Sequence, residues 1–154
     1  MSTITRLGGT LLLACLLSVI AFGGADPFSG SWRLNAAKSR LPANAPEDCL
    51  LKIEIQGNDI RIDEVSSDAK GNPSKLTVLG GLDDTSYGVV GSEYLDAISL
   101  RRMGTRRILA EIRKHGAVIG WVDADASGNT LKLNITETDA NGKEVKSIAM
   151  LQRE

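Results

Sequence analysis

The sequence predicts an all-β domain, an antiparallel up-and-down meander that closes into a barrel. Apolar and polar residues alternate in segments such as Leu51-Lys52-Ile53-Glu54-Ile55, and this period of two is typical of half-buried strands. Turn-forming pairs such as Gly57-Asn58 and Asn141-Gly142 separate successive segments. Because no intervening segment is long enough for the helix that parallel strands require, consecutive strands are expected to pair as hairpins.

The expected number of strands favours closure of the meander. About ten short strands are expected, and an open sheet of that size would leave two edges unpaired and one face uncovered. A closed barrel of about 8–10 strands removes both problems. The alternative is a two-sheet sandwich, whose Greek-key topology needs long return connections. The only long connections in the sequence are residues 35–48 and 63–74.

The start of the chain is interpreted as a secretory signal peptide. Arg6 lies in a short n-region, an apolar run follows from Leu11 to Phe22, and the small residues Gly23-Gly24-Ala25 stand at the expected cleavage site. The apolar run is shorter than the roughly 20 residues that a transmembrane helix needs. We therefore expect a signal peptide at 1–25 and a single barrel domain at 26–154. The domain is expected in the periplasm or outside a bacterium, without a transmembrane segment after cleavage.

Net charge and cysteine content argue against nucleic-acid binding and against disulfide bonds. The 154-residue chain has a formal net charge of −1, and removal of the predicted signal peptide leaves −2. This near-neutral balance argues against nucleic-acid binding, which needs a strongly basic surface. Cys49 is the only cysteine after the predicted signal peptide, so no intramolecular disulfide is expected. Acylation at Cys15 is disfavoured because most of the apolar run follows that cysteine.

Cys49 itself begins a predicted strand and is interpreted as a small buried apolar group. The neighbouring acids Glu47 and Asp48 are expected to raise the pKa of its thiol. The alternative of a reactive or intermolecular thiol is therefore disfavoured, because the thiolate is the reactive form.

The stretch from Asp26 to Asn35 opens the predicted domain and contains its densest motif. Gly30-Ser31-Trp32 is expected to begin the first strand. The segment Asn35 to Leu41 is expected to be the one short helical piece, limited to about two turns by Pro42 and Pro46. The end of the chain is expected to return and pair with the first strand.

These features resemble the calycin group of β-barrels, which contains the lipocalins and the fatty-acid-binding proteins. The shared features are a Gly-x-Trp on the first strand, a short helical connection, a β-meander and a basic residue at the end of the last strand. The segment Asp26 to Ser39 also resembles the start of a family of small exported bacterial proteins described as lipocalin-like. The chain lacks a second lipocalin motif, a disulfide and a C-terminal helix, and its strand number is closer to the fatty-acid-binding arrangement.

The resemblance implies a role in barrel closure for Gly30, Trp32 and Arg153. In calycins the tryptophan closes the floor of the barrel, and a basic residue of the last strand packs against its ring. By position, these two roles fall on Trp32 and Arg153. A cation over an indole ring contributes about 0.5–2 kcal/mol. The motif would then be structural, and a ligand is expected at the opposite end of the barrel.

No group of residues in the sequence indicates a cofactor, a metal or a known catalytic motif. His115, the only histidine, precedes Gly116 in a predicted turn, and no Cys/His spacing suits a transition metal. Asp123-Ala124-Asp125 followed by Gly128-Asn129 has the alternating acids of a calcium loop but lacks the remaining ligands, and it is also typical of a hairpin tip. Because no known catalytic motif is found, the sequence leans against an enzyme. Catalysis by paired carboxylates at the barrel mouth is retained as a third option.

Arginines around one predicted hairpin are the first candidates for ligand binding. Two arginine pairs, Arg101-Arg102 and Arg106-Arg107, surround the Met103-Gly104 turn, and alternation places at least one member of each pair on the inner face. A solvated hairpin edge neutralised by nearby acids is the simpler interpretation. The functional one is that an inward Arg102 or Arg107 binds an anionic head group, as the internal arginines of fatty-acid-binding barrels do, because a buried guanidinium needs a partner.

Aromatic residues are the second set of candidates. Trp121 lies in the segment Val118 to Val122, which is apolar on both faces and fits either core packing or the mouth of a cavity. Gly120 would leave room there for a ligand or a bulky neighbour. Tyr87 and Tyr94 are expected either to line the same cavity or to be ordinary strand residues.

The expected function is that of a non-enzymatic exported barrel that binds a small hydrophobic or amphipathic ligand, without a cofactor or a nucleic-acid partner. Burial of ligand surface, at about 25 cal/mol per Å², would supply the affinity. The interior is expected to include Ile98, Leu100, Ile108, Ala110, Val122 and Leu133. The alternative is a periplasmic protein-interaction or inhibitor barrel that binds an envelope protein through its rim loops. A filled interior would favour that alternative, and a cavity would favour the carrier.

Overall fold

Ten antiparallel strands form a closed barrel in the computed structural model, which describes residues 24–154. The predicted fold class is therefore confirmed, and the sandwich alternative is excluded. Residues 1–23 of the predicted signal peptide lie outside the described residues. The strands are β1 (Gly30–Leu34), β2 (Asp48–Gln56), β3 (Asp59–Ser67), β4 (Pro73–Gly81), β5 (Asp83–Val90), β6 (Ala97–Gly104), β7 (Arg107–Lys114), β8 (Ala117–Ser127), β9 (Thr130–Thr138) and β10 (Glu144–Arg153).

The sheet is a sequential meander, and the first and last strands join to close it. Each strand pairs with the next along the chain, and β1 pairs with both β2 and β10. Trp32 lies between Leu51 on one side and Arg153 on the other. Closure leaves no free sheet edge, which is the physical advantage expected from the number of strands.

The connection after β1 contains one 3₁₀ turn, Ala36–Lys38, where about two helical turns were expected. The Asn35 side chain caps it by accepting a hydrogen bond from the backbone N–H of Lys38 at 3.2 Å. The turn is short because Arg40 already pairs with Ile148 of β10 through two backbone hydrogen bonds of 2.7 and 2.9 Å. Within residues 24–154, no helix has the length and apolar character needed to cross a membrane.

Glycines determine the geometry of the tight hairpins. His115 and Gly116 both adopt positive φ, 50° and 79°, which is the conformation that suits a two-residue hairpin between β7 and β8. His115 is therefore a turn residue, and its backbone N–H donates to the Asp96 carboxylate at 2.8 Å. The turn predicted at Met103-Gly104 lies two residues later, because β6 continues through Gly104 and β7 begins at Arg107.

The two ends of the barrel differ in structure. The hairpins β2–β3, β4–β5, β6–β7 and β8–β9 lie together at the end where β1 begins, which we call the closed end. The other end, the rim, carries the segment 40–47 and the loops β3–β4, β5–β6, β7–β8 and β9–β10. Buried side chains fill the closed end, among them Phe28, Trp32, Ile108, Ala126 and Leu131.

The pairing between β4 and β5 is the shortest in the barrel. Only two residue pairs are in register there, Thr77 with Val90 and Val78 with Val89. The register of β5 against β6 is also interrupted, between Asp83 and Ser86. The Tyr87 ring fills the space beside this junction, since a Cβ atom on Gly80 would lie 2.6 Å from the ring.

Candidate functional site

Trp32 and Arg153 lie in direct contact at the closed end. The guanidinium carbon of Arg153 is 4.1 Å from the centroid of the Trp32 ring, and Trp32 is fully buried. Arg153 also donates to the carbonyl oxygens of Ser29 at 2.6 Å and Pro27 at 2.8 Å. The indole Nε1 of Trp32 donates to the carbonyl oxygen of Phe28 at 2.8 Å. The segment before β1 is therefore fixed across the closed end of the barrel.

Gly30 makes the Arg153 contact possible. A Cβ atom at position 30 would lie 2.3 Å from Nη1 of Arg153, far inside van der Waals contact, and the φ of Gly30 is +140°. Any other residue would have to displace the guanidinium and adopt a strained backbone. The Gly-x-Trp motif therefore has a local physical reason, because the glycine leaves space for the cation that covers the tryptophan.

Arg102 also lies at the closed end, whereas a ligand was expected at the opposite end. Its guanidinium forms a salt bridge with the Asp26 carboxylate and donates to the carbonyl oxygen of Thr105 at 3.1 Å. It also lies 5.8 Å from the centroid of the Phe28 ring. The partner that a half-buried guanidinium requires is thus supplied by the chain itself.

Arg107 and Trp121 lie on the outside of the barrel. Arg107 forms two hydrogen bonds of 2.8 and 2.7 Å with Asp123, and these bonds lower the pKa of the Asp123 carboxyl. The Asp125 carboxylate lies 3.5 Å from the Arg106 guanidinium. Asp123 and Asp125, the two acids considered for calcium, are therefore both next to arginines. Trp121 is 42% exposed. In the described part of the chain, no group of three or more His, Cys, Asp or Glu side chains is arranged to hold a metal.

The rim half of the barrel encloses a cavity of about 570 Å³. Of its 25 lining residues, 17 are aliphatic or proline, and the rest are polar or carry a thiol. Ile98, Val122 and Leu133 line it as expected, whereas Leu100, Ile108 and Ala110 are buried outside its lining. The polar and thiol group consists of Asn44, Cys49, Glu64, Ser74, Ser92, Tyr94, Glu137 and Ser147.

Two connections at the rim contribute to the cavity wall. The segment from Leu41 to Pro46, between β1 and β2, supplies five lining residues, and the loop between β5 and β6 supplies Ser92, Tyr94 and Leu95. Ser39 anchors the first connection, because its hydroxyl donates to the Asn35 carbonyl and accepts from the Met150 N–H, both at 2.8 Å. The cavity is thus bounded by strands on its sides and by these connections at the rim.

Tyr94 lines the cavity and remains 51% exposed, whereas Tyr87 does not contribute to the lining. Partial burial, followed by the nearby Glu137 carboxylate, raises the pKa of the Tyr94 hydroxyl. Tyr87 instead donates its hydroxyl to Asp83 at 2.8 Å, beside the β4–β5 junction. Of the five residues predicted to bind a ligand, Tyr94 is the one in the cavity wall.

No protein-family model matches the chain, and neither does any curated protein. The architecture described above, a closed barrel of ten sequential antiparallel strands, is the classification that the structure supports.

Glu64 is one of two acids of the cavity wall that sequence reasoning missed, the other being Glu137. Glu64 lies on β3 between Leu51 of β2 and Leu76 of β4, both of which also line the cavity. Burial raises the pKa of its carboxyl, and the Ser66 hydroxyl offsets this only in part. Among residues 24–154 it forms no salt bridge.

The signal for Glu64 is present in the alternation of β3. Ile60 and Ile62 face inward, and the period of two places Glu64 and Ser66 on that same face, while Val65 is 43% exposed on the other. An acid on the apolar face of a strand, with an exposed valine beside it, is the sequence feature that could have identified Glu64 as a residue of the barrel interior.

Cys49 also belongs to the cavity wall. Burial, with a smaller contribution from Glu64 and then Asp48, raises the pKa of its thiol to about 12. Asp48 was expected to act in this direction, but burial is the larger cause. The thiol therefore stays protonated at neutral pH and behaves as a weakly polar surface within the cavity.

Proposed function

We propose that the protein is an exported, calycin-like carrier that holds a small hydrophobic or amphipathic molecule in the cavity at the rim half of the barrel. The cavity is the observation on which this proposal depends. Its volume of about 570 Å³ lies within the range of roughly 300–1,000 Å³ that is usual for small-molecule sites. Its wall is mainly aliphatic, so binding would be driven by removal of apolar ligand surface from water.

The difference between the two halves of the barrel supports this function. The barrel interior at the closed end is filled by side chains, and Arg102 and Arg153 fix the segment that covers it. The rim half contains the cavity and is bounded by connections rather than by strands alone. Ligand entry would therefore take place between the segment 41–46 and the loop 92–95.

The calycin-like assignment and export are supported by different features. Gly30, Trp32 and Arg153 make the contacts that the resemblance implies for barrel closure. The apolar run from Leu11 to Phe22 supports export to the periplasm or beyond. A filled interior would have favoured a barrel that acts through its rim loops on an envelope protein, and the cavity favours the carrier.

Titration with the neutral dye N-phenyl-1-naphthylamine tests the carrier function. The purified protein is expected to give a saturable rise in dye fluorescence with one site per chain. Ala149 lines the cavity and is buried, so Ala149→Phe places a ring in the cavity and is expected to abolish the signal. Ala117 is exposed outside the cavity, and Ala117→Phe adds the same ring without affecting binding.

Circular dichroism of both variants checks that the barrel remains folded, since added volume in a packed region is destabilising. Absence of saturable binding by the wild-type protein would contradict the carrier function and favour a rim-interaction barrel. Equal binding by folded Ala149→Phe and wild type would contradict the location of the site.

A further inference from the structure

None of the ionisable groups of the cavity wall within residues 24–154 can carry a positive charge. They are Glu64, Glu137, Tyr94 and Cys49, and no Lys, Arg or His lies among the lining residues of the described chain. Arg102, the predicted partner for an anionic head group, is paired with Asp26 at the other end of the barrel. An anionic ligand would therefore bring its charge toward two acidic side chains without a counterion, which is strongly unfavourable in a mainly aliphatic cavity.

Glu64 lacks a cationic partner in a position where a carboxylate usually has one. Its in-register neighbours, Leu51 and Leu76, are both apolar, and it forms no salt bridge among the described residues. A buried ionised carboxylate is costly unless it is paired and hydrogen-bonded. The Ser66 hydroxyl and the Cys49 thiol are polar neighbours of Glu64 but carry no positive charge, so a cationic partner can come from a ligand.

Glu137 and Tyr94 add a second polar group at the rim. Glu137 lies one residue before the end of β9, and it is close enough to the Tyr94 hydroxyl to raise its pKa. Both line the same cavity as Glu64. The negative charge of Glu137 makes the potential near the rim favourable to a cation that enters the cavity.

We propose that the cavity binds an amphipathic amine, whose ammonium group pairs with Glu64 while its hydrocarbon part contacts the aliphatic wall. This proposal rests on the carrier function proposed above and specifies its ligand class. The ammonium supplies the positive charge that the wall lacks, and charge-assisted hydrogen bonds are among the stronger polar contacts. The hydrocarbon part of the ligand supplies the apolar area.

Three probes of equal chain length test the proposal by displacement of the bound dye. Dodecylamine, dodecanol and dodecanoate are titrated at concentrations below those at which they aggregate. The wild-type protein is expected to bind dodecylamine about 10-fold or more tightly than dodecanol, and dodecanoate most weakly. Dye binding is measured first, so failure of the carrier function is seen separately from failure of the amine preference.

The Glu64→Gln variant tests whether the preference for dodecylamine over dodecanol depends on the Glu64 carboxylate. This near-isosteric variant is expected to bind dodecanol as the wild type does and to lose most of the preference for dodecylamine. Glu93, an exposed acid next to Tyr94 that does not line the cavity, provides the matched control. Glu93→Gln makes the same change in net charge near the rim and is expected to keep the preference.

The pH dependence supplies a second readout. In the empty protein, burial favours the protonated form of Glu64. Binding of dodecylamine is therefore expected to strengthen as the pH rises from the acidic range toward neutrality, because the raised pKa moves ionisation of this carboxyl to higher pH. The increase should be smaller in Glu64→Gln. Cys49 and Tyr94 stay neutral in this range because the pKa values of both are raised, and Glu137 is the other acid that faces the cavity.

Two results would overturn the proposal while leaving the carrier function intact. One is equal affinity for the three probes, or a preference for dodecanoate. The other is an amine preference that Glu64→Gln and Glu93→Gln reduce to the same extent, because the effect would then come from overall charge.

Discussion

Gly30, Trp32 and Arg153 depend on one another through direct contact. Arg153 covers the indole of Trp32 at 4.1 Å and occupies the space that a Cβ atom on Gly30 would need. It also binds two carbonyl groups of the segment before β1. The three residues come from the two ends of the described chain, so each substitution is expected to disturb the contacts of the other two.

Gly30→Ala and Arg153→Ala are each expected to lower the free energy of unfolding by about 2–4 kcal/mol. The alanine at position 30 adds backbone strain and displaces the guanidinium, and Arg153→Ala removes the cation–π contact and two charge-assisted hydrogen bonds. Because both changes remove the same contacts, the double variant should cost less than the sum of the two. Urea denaturation of the four proteins measures this coupling.

Gly88→Ala is the control for that cycle. No heavy atom lies within 4 Å of a Cβ atom at Gly88, so this substitution should have little effect and should add independently to Arg153→Ala. Additive costs for Gly30→Ala and Arg153→Ala would contradict the proposed dependence.

At the scale of elements, the pairing of β4 with β5 is the weakest part of the closed sheet. Only two residue pairs are in register, and the register of β5 with β6 is interrupted. Tyr87 compensates in part, because its ring covers Gly80 and its hydroxyl donates to Asp83. The barrel is therefore closed around its whole circumference but least restrained here.

Hydrogen exchange is expected to be fastest, among the strand amides, on the facing edges of β4 and β5. Amides with few stable ladder partners open locally at low free-energy cost. Tyr87→Ala removes the covering ring and should accelerate exchange at this junction, while amides shared by β8 and β9 should be unaffected. Protection at the β4–β5 edges equal to that in β8–β9 would contradict this assignment.

At the scale of the whole molecule, one half of the barrel provides stability and the other contains the cavity. Trp32, Phe28 and Leu131 are almost completely buried at the closed end. The rim half leaves about 570 Å³ unfilled and places the Glu64 carboxyl in its wall. A cavity and a buried acid both lower stability, and proteins often have such features where they bind ligands.

Glu64 is expected to reduce the stability of the empty protein as the pH rises. Because burial raises its pKa in the folded state, the folded protein holds this proton over a pH range in which the unfolded chain has lost it. The contribution is complete below the unfolded pKa of about 4.3 and is lost as the pH rises through the folded pKa. Glu64→Gln cannot ionise, so its Tm should exceed that of the wild type by a few degrees at pH 8.

The difference in Tm between Glu64→Gln and wild type separates the effect of Glu64 ionisation from that of the other acids. Asp63, Asp68 and Asp123 have lowered pKa values, so they contribute stability that is lost as the pH falls, but they do so equally in both proteins. Thermal unfolding from pH 4 to pH 8 should show the difference growing with pH. A constant difference would indicate that Glu64 ionises normally in the folded protein.

The alternation of apolar and polar residues and the turn chemistry were enough to predict the architecture. They give the number of strands and the hairpin connections, because both depend on patterns within a few residues of one another. Closure then follows from the cost of two unpaired edges in a sheet of ten strands. Errors were local, such as the β6–β7 turn, where no glycine with positive φ marks the position and β6 continues through Gly104.

The candidate site was harder to predict, because the partners of its residues lie far away in sequence. Alternation predicted one inward residue in each arginine pair and offered Arg102 or Arg107. It could not show that Arg107 lies outside the barrel, or that Asp26, 76 residues from Arg102 in sequence, neutralises Arg102 at the closed end. It likewise could not separate Tyr94, which lines the cavity, from Tyr87, which covers a strand junction.

The sequence by itself determined that inward and outward side chains alternate along each strand, because a strand has a fixed period of two. Only the tertiary structure decided which of the inward groups are paired with another part of the chain. Arg102 and Arg153 receive partners from the segment before β1, whereas Glu64 faces a cavity between two apolar neighbours. The physical reason is that the cost of a buried charge depends on what surrounds it in space, and closure of the barrel brings those surroundings together from the whole chain.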